Sequence, residues 1–401
     1  MQLLSIGRVA SSSKRPSPFE RLAHCLWARI FAPGPGSPLN TADTAHNEGP
    51  SAFAQAAELE LRRVSKRYPG QREPAIADLS FTVPAGEVCV LVGPSGSGKT
   101  TTMRLINRMI PISGGDILLG GSSVLERDPK ELRREIGYVI QQIGLFPHQT
   151  VTENIAAVPR LLGWRKDRIA ARVAELLELI DLDPGEMQGR YPAQLSGGQR
   201  QRVGVARALA ADPPLMLMDE PFGAIDPINR ARLQDEFLRL QNKVKKTVVL
   251  VTHDIDEAIK MGDRIAILRE GGVLAQYDAP REILAHPADS FVAQFVGADR
   301  GLKRLSLTTL AEMKLIEPNG MHGEPPFDGA RRVPRETSVR DALSLMLSEN
   351  GDPLAVVDAK GHVEGLFTLG LVEQLLSDDA EERPAPSVPS ELEPARGRRD
   401  V

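Results

Sequence analysis

The chain has 401 residues, 41% of them hydrophobic and 25% charged, with a formal net charge of -4. That length suits two or three domains with buried cores, and the mild acidity supplies no basic field for nucleic acid. Two cysteines, Cys25 and Cys89, exclude a disulfide framework, and no apolar run reaches the roughly 18 residues needed to cross a bilayer as a helix.

Residues 1–56 read as a disordered leader and linker. Met1 to Pro38 is nearly free of acids and lacks both the apolar core and the small-residue cleavage site of a signal peptide. Phe19, Leu22, Leu26, Trp27 and Ile30 share one face if the segment is helical, which leaves a peripheral membrane anchor as the second reading. Leu59, Leu61 and Val64 then open a strand, and Ala75–Val83 and Val88–Val92 read as two more, with Pro84-Ala85-Gly86 as the turn between them. Thr100–Met109 is expected to be helical. So is the stretch from Val151 to Pro192, where Ile169, Val173, Leu176, Leu177 and Ile180 recur at helix spacing. This stretch separates strand-rich regions and reads as a helical insertion at about 150–195. Leu215–Met218 and Thr247–Val251 are continuous apolar runs, which suit a parallel sheet covered on both faces. Beyond Gly297, residues 298–329 read as a linker with a loop at 317–329. Val339–Leu347 reads as a helix, Leu354–Val357 and Val363–Phe367 as a strand pair joined by the turn Asp358–Gly361, and Leu369–Leu376 as a final helix. The tail 378–401 is Pro-rich and charged, and reads as disordered.

Two motifs carry the chemistry. Gly93-Pro94-Ser95-Gly96-Ser97-Gly98-Lys99-Thr100 matches G-x-x-x-x-G-K-[ST] between a buried strand and a helix, with Thr101 next in line. Such a loop turns backbone N–H groups toward an anion, and the helix N-terminus adds positive potential. Lys99 is placed to reach outer phosphates and Thr100 to hold Mg²⁺. The second motif is the apolar strand Leu215–Met218 followed by Asp219 and Glu220. One carboxylate for the metal and one to orient or deprotonate a water is what phosphoryl transfer to water requires.

Leu195-Ser196-Gly197-Gly198-Gln199-Arg200-Gln201-Arg202 resembles the signature sequence of ATP-binding-cassette (ABC) transporter ATPases, and with the other two motifs it carries that resemblance over about residues 58–297. The resemblance implies a RecA-like P-loop α/β core with an antiparallel β subdomain and a helical insertion, binding ATP and Mg²⁺. It also implies a homodimer in which Ser196, Gly197, Gly198 and Gln199 face the nucleotide of the opposite copy. Tyr68 resembles the aromatic that stacks on adenine. Gln141, with Gln142 beside it, resembles the glutamine that touches metal and water and relays to the membrane subunit. Asp226 resembles the Asp of the inter-subunit loop, and His253 the histidine that contacts the γ-phosphate and braces Glu220. His253 is expected two strands along from Asp219. Integral membrane permease subunits, an extracytoplasmic substrate-binding protein and a peripheral place on the cytoplasmic face of the membrane are further implications.

Gln141–His148, and Phe295-Val296-Gly297 followed by Arg300–Leu305, are similar to importers of quaternary-ammonium osmoprotectants: glycine betaine, choline, carnitine or proline. An importer of another small solute, such as an amino acid or polyamine, is the alternative. Soluble ABC proteins of DNA repair or translation carry paired cassettes, coiled-coil insertions or zinc fingers, and this sequence shows none of these. Residues 330–377 resemble a single CBS repeat. Leu371 stands three positions after Thr368, where nucleotide-binding repeats carry Asp, which favours an ionic-strength or structural role over an adenosine ligand. Arg331, Arg332, Arg335 and Arg340 form either a solvated basic face or a contact for anionic lipid.

Overall fold

The computed structural model describes residues 55–140, 144–223, 225–316 and 330–381, with side chains placed up to residue 376. The leader, the loop 317–329, the tail and Gln141 lie outside the described residues. The chain divides into two compact units, one ending at Pro280 and the other beginning at Arg281.

In the first unit, β1 (Leu59–Lys66), β2 (Ile76–Val83), β4 (Gly114–Leu119) and β5 (Ser122–Ser123) form an antiparallel sheet in the order β2-β1-β4-β5. The second sheet contains β3 (Val88–Val92), β6 (Ile136–Val139), β7 (Leu215–Asp219), β8 (Thr247–Val251), β9 (Arg264–Arg269) and β10 (Val273–Asp278), in the order β10-β9-β3-β8-β7-β6. All its pairings are parallel except β10 with β9. Every residue of β3 and β8 is buried, as their unbroken apolar runs require of strands covered on both faces. Leu91, Leu217, Val249 and Leu268 from this sheet pack in one core with Leu59, Leu79 and Ile117 from the other. Each such fully buried aliphatic side chain contributes about 1.5–3 kcal/mol.

The expected insertion is a run of helices, Val151–Ile155, Ala157–Leu161, Lys166–Leu179 and Pro184–Met187, followed by the helix Gly197–Leu209. Ile169, Val173, Leu176 and Leu177 are the buried stripe of the third. Arg172 on that helix ties it to the end of Gly197–Leu209: its Nη2 donates to Leu209 O at 3.1 Å and its Nε to Ala210 O at 3.4 Å. The same guanidinium lies 3.9 Å from Asp212, which pairs at 2.7 Å with the ammonium of Lys246, a fully buried side chain. Burial pushes the Lys246 pKa down, and the Asp212 carboxylate opposes that.

In the second unit, β11 (Arg332–Pro334), β12 (Leu354–Val357) and β13 (Val363–Phe367) form a small sheet, with β11 parallel and β13 antiparallel to β12. The helices Val339–Ser348 and Leu369–Glu381 follow β11 and β13 respectively. The span 298–329, read as a linker, needs correction. It contains the helix Arg300–Leu307 and a short 3-10 turn at Leu310–Glu312, and Leu305 and Leu310 are fully buried in this unit's core with Val333, Met346 and Phe367. The core around this small sheet therefore draws on residues before 330, since the preceding helix supplies part of it. The basic face is half neutralised, since Arg331 pairs with Glu349, and Arg335 with Glu364 at 2.7 Å.

Asp212→Ala leaves the Lys246 ammonium buried without its carboxylate. Denaturant unfolding is expected to show a loss of about 3–5 kcal/mol, largely recovered in the double variant Asp212→Ala/Lys246→Met.

Candidate functional site

Strand register sets the site. Leu91 of β3 and Asp219 of β7 both lie opposite Val251 of β8, so three neighbouring strands end together at one sheet edge. Ligands of open parallel α/β sheets bind outside such carboxyl ends.

After β3 the chain enters the loop Gly93–Gly98 and then the helix Lys99–Ile106. Two glycines are required by close approach. Gly93 has φ +151°, and a Cβ there would sit 2.2 Å from Leu268 O; Gly98 has φ +88°, and its Cβ would sit 2.9 Å from Ala75 O. Pro94 and Gly98 are half-buried, Ser95 and Gly96 exposed, and Ser97 buried. Lys99 folds back over the loop and donates to Gly93 O at 2.7 Å and Pro94 O at 2.9 Å, with Ser97 Oγ at 3.5 Å. Burial pushes its pKa down, against the opposing pull of the Glu220 and Asp219 charges. Thr100 Oγ1 donates to Asp219 Oδ1 at 3.3 Å, and Thr101 is half-buried in the same first turn. Burial pushes the Asp219 carboxyl up; the Thr100 bond pulls it down, with the Arg104 and Lys99 charges acting the same way.

At Glu220 the backbone turns left-handed, φ +44°, which ends β7 while the Glu220 N–H still donates to Val251 O at 2.9 Å. That turn directs the carboxylate to His253, whose Nδ1 lies 3.2 Å from Glu220 Oε1. The expected spacing of His253 from Asp219 is corrected here: β8 is the immediate neighbour of β7, so one strand step separates them. Tyr68, after β1, is half-buried, and Lys66 Nζ lies 5.0 Å from its ring centroid while donating to Pro111 O.

Ser196 and Asp226 are helix N-caps. Ser196 Oγ accepts from Gln199 N at 3.2 Å and Gln199 Oε1 accepts from Ser196 N at 2.9 Å, a reciprocal capping box before Gly197–Leu209. A Cβ at Gly197 would meet nothing of this chain within 4 Å, and one at Gly198 only ordinary contacts with Leu233 and Arg232. Asp226 accepts from Asn229 N at 3.1 Å and from Asn229 Nδ2 at 2.8 Å, bonds that hold its carboxyl below the usual range.

Sequence reasoning overlooked two side chains near the segment after Gln141. Asn154, fully buried, accepts from Phe146 N at 2.8 Å, and its amide donates toward the carbonyls of Phe146, Gln149 and Thr150. Arg207 donates to Gly144 O at 2.7 Å and lies 6.0 Å from the Phe146 ring; burial pushes its pKa down to about 10. A charged residue inside the apolar run Val205–Leu209 was the available signal for Arg207. Asn154 fastens residues 146–150 to its own helix Val151–Ile155, and Arg207 fastens Gly144 to the helix that begins at the signature.

Comparison with known proteins shows the family. A family model described as ABC transporter matches residues 76–223. The osmoprotectant import ATP-binding protein OsmV of Salmonella typhimurium is 53% identical over 303 residues, which is 75% of this chain and 78% of that protein. The glycine betaine/carnitine/choline transport ATP-binding protein OpuCA of Bacillus subtilis is 46% identical over 316 residues, 79% and 80% of the two chains. Among solved structures, cbiO1 from Clostridium perfringens, part of the ABC transporter complex cbiONQ, superposes with a TM-score of 0.53 at 24% identity, covering 57% of this chain and 91% of that one. It supports the fold. The chain belongs to the ATP-binding proteins of ABC transporters, in the group that includes osmoprotectant importers.

Proposed function

We propose that the chain is the ATP-hydrolysing subunit of an importer for quaternary-ammonium osmoprotectants (glycine betaine, choline, carnitine or proline). The observation that carries the motor is the meeting of the Thr100–Asp219 pair and the Glu220–His253 pair beside Lys99 at one sheet edge. The substrate class rests on relatives named for osmoprotectant, glycine betaine, carnitine and choline transport.

The loop Gly93–Gly98 and the helix after it offer backbone N–H groups to the phosphates, and Lys99 exchanges its bonds to the Gly93 and Pro94 carbonyls for phosphate oxygens. Thr100 Oγ1 and Asp219 Oδ1 are two hard oxygen donors 3.3 Å apart. Thr100 would hold Mg²⁺ directly and Asp219 through water, and the bound ion would supply charge neutralisation at the phosphates. Glu220 orients a water and takes its proton as the water oxygen bonds to the γ-phosphorus. The bond from that phosphorus to the β-phosphate oxygen breaks, leaving ADP and phosphate. His253 holds the Glu220 carboxylate and reaches toward the γ-phosphate, and Tyr68 stacks on adenine.

One chain carries one phosphate loop and one signature segment. The open space around Gly197 supports close approach by a phosphate from outside the chain. Two copies therefore pair head to tail, with Ser196–Gln199 and Asp226 of each copy completing the other's site. Integral membrane permease subunits receive the motion through the segment at Gln141 and the helices after it, and an extracytoplasmic binding protein delivers the solute. Among the described residues no helix is long and apolar enough to cross a membrane, and we place the chain at the cytoplasmic face as a peripheral subunit. Residues 330–377 read as a single CBS-like repeat, supported by the strand–helix–strand–strand–helix order that runs from β11 to the helix Leu369–Glu381.

Lys99→Ala is expected to weaken ATP binding about 10- to 100-fold, as lost charge-assisted bonds imply, measured by nucleotide titration. Glu220→Gln is expected to keep ATP affinity while turnover falls about 10²- to 10⁴-fold; unchanged turnover would remove Glu220 as the base. The substrate class is tested by uptake of radiolabelled glycine betaine, choline and carnitine. The assay uses cells lacking their own systems but supplied with this subunit and its membrane and binding-protein partners. Uptake of one of them, absent with Glu220→Gln, is the expected result. No uptake with ATPase activity intact would move the substrate to another small solute.

A further inference from the structure

Beneath the loop that carries His253 sits a buried carboxylate that none of the roles above uses. Glu257, in the helix Ile255–Met261, is 7% exposed, and its two oxygens have different partners. The Thr252 hydroxyl donates to Oε2, and the Gln234 side-chain amide donates to Oε1 at 3.2 Å. Thr252 and Gln234 are themselves buried. Burial pushes the Glu257 carboxyl pKa up, and the two hydrogen bonds oppose that. Apolar side chains of similar volume would fill this space without the cost of desolvating a carboxyl group.

The groups this carboxylate joins give it a use. Thr252 precedes His253, and its Oγ1 also accepts from Asp254 N at 3.1 Å, so this one hydroxyl fixes both flanks of the histidine. Thr252 N donates to Leu91 O at 3.2 Å, which moors that flank to β3 just ahead of the phosphate loop. Gln234 belongs to the helix Pro227–Val244, which starts at its cap Asp226 a few residues after Glu220. A second tie runs beside the first: Arg230 of the same helix lies 3.6 Å from Asp254 and donates to Ile225 O at 3.2 Å. The start of this helix faces outward, with Ile228 85% exposed. A body pressing on Asp226 and Ile228 therefore acts on a rigid rod whose first turns and mid-section hold the histidine loop.

Resting on the roles proposed above for Glu220 and His253, we infer that Glu257 is a positioning residue for ATP hydrolysis. It couples the loop 252–254 to the helix that begins at Asp226. The 3.2 Å approach of His253 to Glu220 then depends on where that helix sits, and the helix start is the surface offered to a second copy. Hydrolysis is thereby made conditional on the partner, while ATP binding at the phosphate loop is not.

The test is steady-state ATPase activity of the full chain, with Tm recorded for each variant. Glu257→Ala removes both bonds and is expected to lower kcat about tenfold or more, the scale of losing an orienting partner, with KM for ATP little changed. Glu257→Gln keeps an acceptor for Thr252, and the Gln234 amide can rotate to present its oxygen, so most of kcat is expected to return. Gln234→Met leaves the Thr252–Glu257 bond in place and cuts only the tie to the long helix. It is expected to lower kcat in the same sense, and it serves if Glu257→Ala fails to fold. Wild-type kcat in Gln234→Met would overturn the inference. So would equal losses in Glu257→Ala and Glu257→Gln that follow a lowered Tm. Wild-type kcat in His253→Ala would instead remove the roles assigned to His253, and this coupling with them.

Discussion

The arrangement depends on strand register in the parallel sheet. β3, β8 and β7 are neighbours, and Leu91, Val251 and Asp219 lie in one row across them. Each strand therefore ends at the same level, and the three segments that leave them reach a common edge: the phosphate loop after β3, Thr252 and His253 after β8, Glu220 after β7. A slip of one residue between β7 and β8 would send Asp219 to the opposite face of the sheet and break its bond to Thr100. The continuous burial of β3 and β8 resists such a slip, because every side chain along them is already packed. Core packing and site geometry are therefore one constraint.

A second layer of positioning surrounds that edge and acts through helix ends. The helix Gly197–Leu209 is capped at its start by Ser196 and Gln199, and at its other end its carbonyls accept from Arg172. Arg207 on the same helix holds Gly144. The helix Pro227–Val244 is capped by Asp226 and holds the His253 loop through Gln234 and Arg230. Both helices begin with groups on the protein surface and carry side chains that reach toward the chemistry. That is the architecture expected where an outside contact has to alter an inside distance.

Much of the site could be read from the chain because its parts are contiguous. Gly93–Thr100, Asp219-Glu220 and Ser196–Gln199 are short runs whose spacing already states their geometry. β3, β7 and β8 were legible for a related reason, as unbroken apolar runs with turn signals on either side. Long-range pairings were not legible. Glu257 and Gln234 stand 23 positions apart in the chain, and nothing local marks a buried carboxylate meeting an amide. The helix Arg300–Leu307 was overlooked because Leu302, Leu305 and Leu307 are scattered through a basic stretch, and Leu305 is buried only once the later strands β11, β12 and β13 pack against it. β4, β9 and β10 escaped for lack of distinctive alternation, and β5 is two residues long.

The central claim is that each ATP is hydrolysed in a site built from two copies, and mixing two inactive variants tests it most directly. Lys99→Ala disables the phosphate loop and leaves the signature segment intact, whereas Ser196→Arg blocks the exposed signature cap and leaves the phosphate loop intact. Each alone should be inactive as a homodimer. In a mixed pair, the unaltered phosphate loop of one copy meets the unaltered signature of the other, so the account predicts that ATPase activity returns on mixing. If the mixture stays as inactive as its components while each variant still dimerises, the site is not shared between copies, and the account is wrong at its centre.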